Sequence, residues 1–202
     1  MRLSIRQRIA IRLQIFKENC AGVAAVEFAY LLPLLILMTY GVIEASRAVM
    51  IHKRFQRSVA MVGDLVSREE TIGDTDAAAT AEMDGIMKAA EHTMQPYSAA
   101  SLKMGVTAIQ ADAANASSTR VAWSFPYNGY PVQACNALKS MPAANMITKG
   151  NSAILVEAEY TYKPILSSLV PGFNAAIKWT DTIAHAPRGR CPNYAGNDCK
   201  CP

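Results

Sequence analysis

Residues 21–46 read AGVAAVEFAYLLPLLILMTYGVIEAS, an apolar run with a carboxylate near its start. From Val23 to Ile43 the only charged side chain is Glu27. As a helix, Val23–Ile43 is about 31 Å long, close to the roughly 30 Å hydrocarbon thickness of a bilayer. Soluble core helices rarely stay apolar on every side for that length, so the run predicts a membrane span. Pro33 is compatible with this, because membrane helices accommodate proline at the cost of a kink. A carboxylate in hydrocarbon costs roughly 2.5–3.5 kcal/mol on insertion scales, so Glu27 calls for a partner.

The flank before the run carries Arg2, Arg6, Arg8, Arg12 and Lys17 against Glu18 alone. A basic leader of this kind suits a secretory signal, but a conventional signal places its small residues after the apolar core. Here Ala21 and Gly22 come before it. A cut after Gly22 removes the leader and leaves the hydrophobic helix as the new N-terminus, starting at Val23. Glu27 then becomes the fifth residue and the aromatic Phe28 the sixth.

That arrangement resembles a type IV prepilin. Within the group, AAVEFAYLLPLLILMTYGVIEASRAV (24–49) is similar to the TadE-like proteins of the tight-adherence (Tad/Flp, type IVc) pilus system. RSVAMVGDLVSR (57–68) fits the region after the helix, and VAWSFPYNG (121–129) and ILVEAEYTYKP (154–164) carry a weaker likeness. The resemblance implies a bacterial minor pilin or pseudopilin, processed at Gly22 and Val23 by a prepilin peptidase, with Glu27 and Phe28 serving subunit assembly. Its implied partners are that peptidase, other Tad/Flp pilins and pseudopilins, the inner-membrane assembly platform and the lipid bilayer. It also implies a pilin-like fold. Cleavage creates a cationic amine on Val23. Five helical residues span only about 7.5 Å, so a neighbour shifted by that much sets its amine beside Glu27.

The domain plan that follows is a cleaved leader at 1–22, a transmembrane helix at 23–43, an amphipathic stem at 44–67 and a periplasmic domain at 68–202. The expected location is the bacterial inner membrane, single pass, with the N-terminus cytoplasmic and the C-terminal domain periplasmic; entry into the pilus is left open. Charge does not settle the orientation, because Arg47, Lys53, Arg54 and Arg57 lie just past the span. The cysteines speak more clearly. Cys135, Cys191, Cys199 and Cys201 form an even set after the helix, suited to one or two disulfides in an oxidising periplasm. All three pairings stay open. Cys199 and Cys201 are expected to bridge elsewhere rather than to each other. Cys20 falls in the leader.

Beyond the span, Ala48, Ile51, Phe55, Val59, Val62 and Val66 recur every three or four residues, which extends the helix to about residue 67. Arg47, Lys53, Arg54 and Arg57 are expected on a solvated face, with lipid headgroups or a pilus partner as the functional alternative. Thr75 or Asp76 is placed to cap a second helix ending near Thr93, its apolar face made of Met83, Met87, Ala90 and Met94. Pro96 ends it, and His92 is expected on its surface. From residue 101 the period becomes that of strands. LKMGVTAIQ and TRVAWSFPY flank a polar hairpin loop. In NSAILVEAEYTYKP, Ile154, Val156, Ala158, Tyr160 and Tyr162 share one face, and Leu155, Glu157, Glu159 and Thr161 the other, where the Glu157 and Glu159 spacing is that of a solvated face. A fourth strand, AIKWTDTIAHAP, is expected to turn Ile177, Trp179 and Ile183 inward. The fold class is α+β: a long N-terminal helix, a second helix and a small antiparallel sheet leaning on the stem.

The net charge of +4, much of it in the leader, does not call for nucleic acid. GxSxG, P-loop, HExxH and CxxC patterns are missing, and His52, His92 and His185 are dispersed. No catalytic residue, cofactor or metal is expected. The aromatic residues Trp123, Phe125, Tyr127 and Tyr130 are read as packing beneath a loop. The alternative function is an uncleaved single-pass inner-membrane protein whose periplasmic domain binds a ligand or a cell-wall component. A redox or metal protein built on Cys191, Cys199 and Cys201 ranks below both.

Overall fold

The computed structural model describes residues 21–143, 145–165, 167, 176–189 and 191–199. Helix α1 (Ala21–Arg68) contains Pro33 without a break in its assignment. Strand β1 (Thr71–Ile72) and helix α2 (Asp76–Thr93) follow it. Then come β2 (Lys103–Ala111), β3 (Thr119–Tyr127), β4 (Ser152–Tyr162), β5 (Ile177–His185) and β6 (Asn193–Tyr194). The fold is α+β, as the periodicities required. The chain divides into two compact units, at residues 1–46 and 47–202.

In the first unit, the described part of α1 is exposed and apolar. Val23, Val26, Phe28, Leu31, Leu34 and Ile36 are among its uncovered side chains. Thr39 donates its hydroxyl to the Leu35 carbonyl at 2.8 Å, which leaves no free donor on that side chain. Among the described residues, α1 is the one helix long and apolar enough to cross a membrane.

In the second unit, the sheet runs β3-β2-β4-β5, antiparallel throughout. Its inner face carries Met104, Val106, Ala108, Ile154, Val156 and Ala158. That face packs on the stripe Ile51, Phe55, Val59, Val62 and Val66 of α1, each at most 2% exposed. Burying one such side chain contributes about 1.5–3 kcal/mol, so the stripe and sheet anchor one another. Helix α2 adds Ala79, Met83, Met87 and Ala90 to the same core, and Met94 follows at its C-cap. Thr75 is its N-cap, accepting from the Ala78 amide. His92 is exposed, as expected.

The outer face departs from the sequence reading. Glu157 and Glu159 were expected on a solvated face, yet Thr107, Ile109 and Leu155 beside them are buried. The cause is the irregular segment from residue 128 to 151, which folds over this side. Tyr130 lies against Gly105, where an added Cβ would collide with its ring. Ile147 and Met141 close on Ala111 and Ala153. Glu157 is ion-paired to Lys139 at 2.7 Å, and Glu159 to Lys178 at 2.8 Å. Burial, then the charges of Glu157 and Glu159, push the Tyr130 phenol up to about 12. Ile177 is a second correction. It opens an edge strand and stays 46% exposed, whereas Trp179 and Ile183 pack on the core as expected.

Strand β1 was not foreseen. Thr71–Ile72 pairs in parallel with Asn193–Tyr194. Two-residue strands carry too little periodicity to be read locally, and this pair is distant in sequence.

Gly63 of α1 and His185 of β5 make a close contact that depends on the missing Cβ, because a methyl there would overlap the imidazole. Gly63→Ala is expected to cost about 1–3 kcal/mol through overpacking. His185→Ala in the same chain should recover part of that loss. Additive losses in a thermal-denaturation double-mutant cycle would show that the two residues do not meet.

Candidate assembly surface

The residues singled out at the N-terminal end lie on exposed helix. Gly22 has open space where a Cβ would stand. Val23 and Phe28 are each more than half exposed, and Glu27 is exposed too. Val23 and Glu27 are four residues apart, so they share one side of α1, with Phe28 a step further round. Among the described residues, Glu27 makes no ion pair. A carboxylate on an apolar helix surface is therefore presented outward, toward whatever covers that surface.

The basic residues after the span do not act as one set. Arg54 turns inward. Its guanidinium donates to the carbonyls of Thr93 at 3.3 Å and of Gln95, and lies 5.7 Å from the centre of the Tyr97 ring. These carbonyls stand at the C-terminal end of α2, where free acceptors and the helix dipole favour a cation. Arg54 thus ties α1 to α2, a role that spacing alone does not reveal. Lys53 and Arg57 point to solvent.

The tail is stapled. Cys191 and Cys199 form a disulfide with Cα atoms 5.6 Å apart, and Cys135 is disulfide-bonded as well. Cys201 and residues 1–20, Cys20 among them, lie outside the described residues. The loop that the 191–199 bridge closes contains β6. Tyr194 stacks on Trp123 with ring centres 5.1 Å apart, and the Trp123 indole donates to the Pro192 carbonyl at 2.9 Å. The Asn193 amide donates to the Glu70 carbonyl, and the Ala195 amide to that of Ile72. Trp123 and Phe125 are buried in the core that α1 and α2 share with the sheet rather than beneath a loop, and the tail covers Trp123. On α2, Glu91 faces Tyr127; burial first and this carboxylate second push that phenol up to about 12.

A cleft of about 860 Å³ lies between the tail and the end of the sheet, lined by Glu70, Gln110, Asn151, Asn193 and Asp198 among others. Among the described residues its lining has amides, hydroxyls and carboxylates but no histidine, lysine or arginine. Among the described residues no group of three or more His, Cys, Asp or Glu side chains is arranged to hold a metal.

These features define a class: an α+β protein with an exposed apolar helix of membrane-spanning length and a disulfide-stapled domain. Residues 22–63 match the TadE family model, described as TadE-like protein. The match covers about a fifth of the 202 residues and takes in the apolar run and most of the stem. No curated protein and no solved structure matches the chain. The segment is thus similar to a family of the Tad pilus assembly system, and the likeness is confined to it.

Opening the Cys191–Cys199 bridge, by reductant or by Cys191→Ser, should cost about 2–3 kcal/mol. Amide exchange at Asn193 and Ala195 is expected to accelerate selectively, while the amides of β2 stay slow. Identical exchange with and without reductant would remove the staple from the account.

Proposed function

We propose that the chain is a minor pilin or pseudopilin, a structural subunit required for assembly of a Tad/Flp-type pilus. In this reading, residues 1–22 are a leader removed by a prepilin peptidase, 23–43 cross the inner membrane, 44–67 form the stem and 68–202 form a periplasmic domain. Its other partners are Tad/Flp pilins and pseudopilins, the inner-membrane assembly platform and the surrounding lipid. The observation that carries the reading is Glu27, exposed on an apolar helix within the TadE-like segment and four residues from Val23.

The proposed chemistry is electrostatic. Before cleavage, position 23 offers an amide; after it, an ammonium group. In a low-dielectric layer a carboxylate and an ammonium of adjacent subunits attract strongly, and each relieves the other's desolvation. Cleavage therefore supplies the charge that lets one subunit accept the next. A second reading, an uncleaved single-pass protein with a ligand- or wall-binding domain, draws on the polar cleft beside Asn151 and Asp198.

The N-terminus of protein recovered from membranes separates the two readings. Mass spectrometry should find a start at Val23 only when the peptidase is present; a Met1 start in both samples would support the second reading. Gly22→Ala is expected to block maturation, and efficient cleavage of that variant would move the cut elsewhere. Glu27→Ala should leave insertion intact, or favour it by about 2.5–3.5 kcal/mol, and abolish most piliation. Normal piliation would sever Glu27 from assembly.

A further inference from the structure

The two ends of the second unit expose different chemistry. Two contacts fix the levels along it. Trp179 of β5 meets His52 of α1 edge-on, with ring centres 4.9 Å apart, and His185 of the same strand meets Gly63. Eleven residues of helix span about 16.5 Å and six of strand about 20 Å, so β5 runs alongside α1 in the same direction. Ile177, two residues before Trp179, is therefore level with about residue 48 of α1. It pairs with Tyr162, so Lys163 and Ile165 leave β4 at this level too.

Several side chains at this level are apolar and uncovered. Val49 and Met50 are each more than half exposed, Ile177 is 46% exposed and Ile165 40%. Trp179 is half-buried, its ring stacked on Tyr162 with centres 5.1 Å apart. Lys163 is exposed and, among the described residues, makes no ion pair. The opposite end presents the polar cleft beside Glu70, Gln110, Asn193 and Asp198. Single exposed apolar residues are ordinary on a protein surface, so position has to say what these are for. Ala48 follows Ile43 by five residues, about 7.5 Å at helical rise. The headgroup layer outside the hydrocarbon is about 5–7.5 Å deep on each side.

We propose that this end of the domain rests on the lipid–water interface, with Ile165, Ile177 and the open edge of Trp179 in the headgroup layer and Lys163 at the lipid phosphates. The inference rests on the membrane-spanning part of the proposed function, which the cleaved and uncleaved readings share. Two points select lipid over a protein partner. The short tether from Ile43 holds this rim within about one headgroup depth of the hydrocarbon. An indole, branched aliphatic chains and a snorkelling lysine are also the combination that membrane interfaces favour. The contact gives the exposure of Ile177 a use, since an edge strand leaves that side chain without cover inside the protein. It also orients the domain against the bilayer, and any step that draws the helix out has to break it.

The experiment uses the full chain in phosphatidylcholine vesicles, with a photo-crosslinking residue in place of Leu35, Ile177 or Leu138. Leu35 lies in the apolar run. Leu138 is the control for mere exposure: it is 70% exposed but bridges Arg120, at the far end of the sheet. Phospholipid crosslinks from Ile177 should exceed those from Leu138 by about fivefold, the partition expected for covering half an isoleucine side chain. Equal yields from these two, with strong lipid labelling from Leu35, would overturn the inference and leave the span standing. Absence of lipid crosslinks from Leu35 would overturn both. Crosslinks from Ile177 to protein in place of lipid would overturn it in favour of a partner strand on the β5 edge. A second readout leaves the rim unaltered. Nitroxide carried on the lipid headgroup should quench tryptophan fluorescence, and Trp179→Phe should remove most of that quenching because Trp123 is only 3% exposed. Weak quenching, or quenching that persists in the Trp179→Phe chain, would overturn the contact.

Discussion

One helix carries two different patterns of apolar side chains along its length. Over its first half α1 is apolar on every side, and over its second half it is apolar on one side only, along Ile51, Phe55, Val59, Val62 and Val66. Everything else in the second unit follows from that change of pattern. A single stripe needs a facing surface, and a four-stranded sheet supplies one. The sheet in turn needs its far side covered, which the segment between β3 and β4 provides. Helix α2 fills the remaining side of the stripe with methionines, whose unbranched side chains adapt to an irregular gap. Arg54 then fixes the angle between the two helices by holding carbonyls at the end of α2.

What was legible in the sequence was local and periodic. The step of three or four in α1 and α2 and the alternation in β4 each repeat often enough to identify an element and its buried face. The cap was recognisable as Thr75 or Asp76 because a capping side chain acts within one turn, and Thr75 takes the role. The unreadable features are contacts between residues far apart in the chain. Nothing near Thr71 announces Asn193, and nothing near Trp123 announces Tyr194. Glu157 looked solvated because an alternating strand reports that it has two faces, not what covers the second. Arg54 looked like its neighbours Lys53 and Arg57; only the end of α2 distinguishes it.

The TadE-like match falls on the first part of α1 and the stem, and the disulfide-stapled domain lies outside it. That division has a physical rationale. The first part of α1 is apolar on every side, whereas the domain needs only a stripe-covering sheet and closed edges. Many sequences satisfy the second requirement, so the two parts need not carry the same amount of recognisable pattern. Function is therefore read from the helix.

The pairing of β1 with β6 has a consequence for the order of events as the chain is made. Synthesis runs from the N-terminus, so α1 is complete long before β4 and β5 exist, and β1 waits for a partner more than a hundred residues downstream. During that interval the stripe from Ile51 to Val66 has no sheet to cover it, and the long loop that β6 must close is costly in entropy. The nascent stem is thus an amphipathic helix joined to a hydrophobic one, a form that rests readily at a lipid–water boundary.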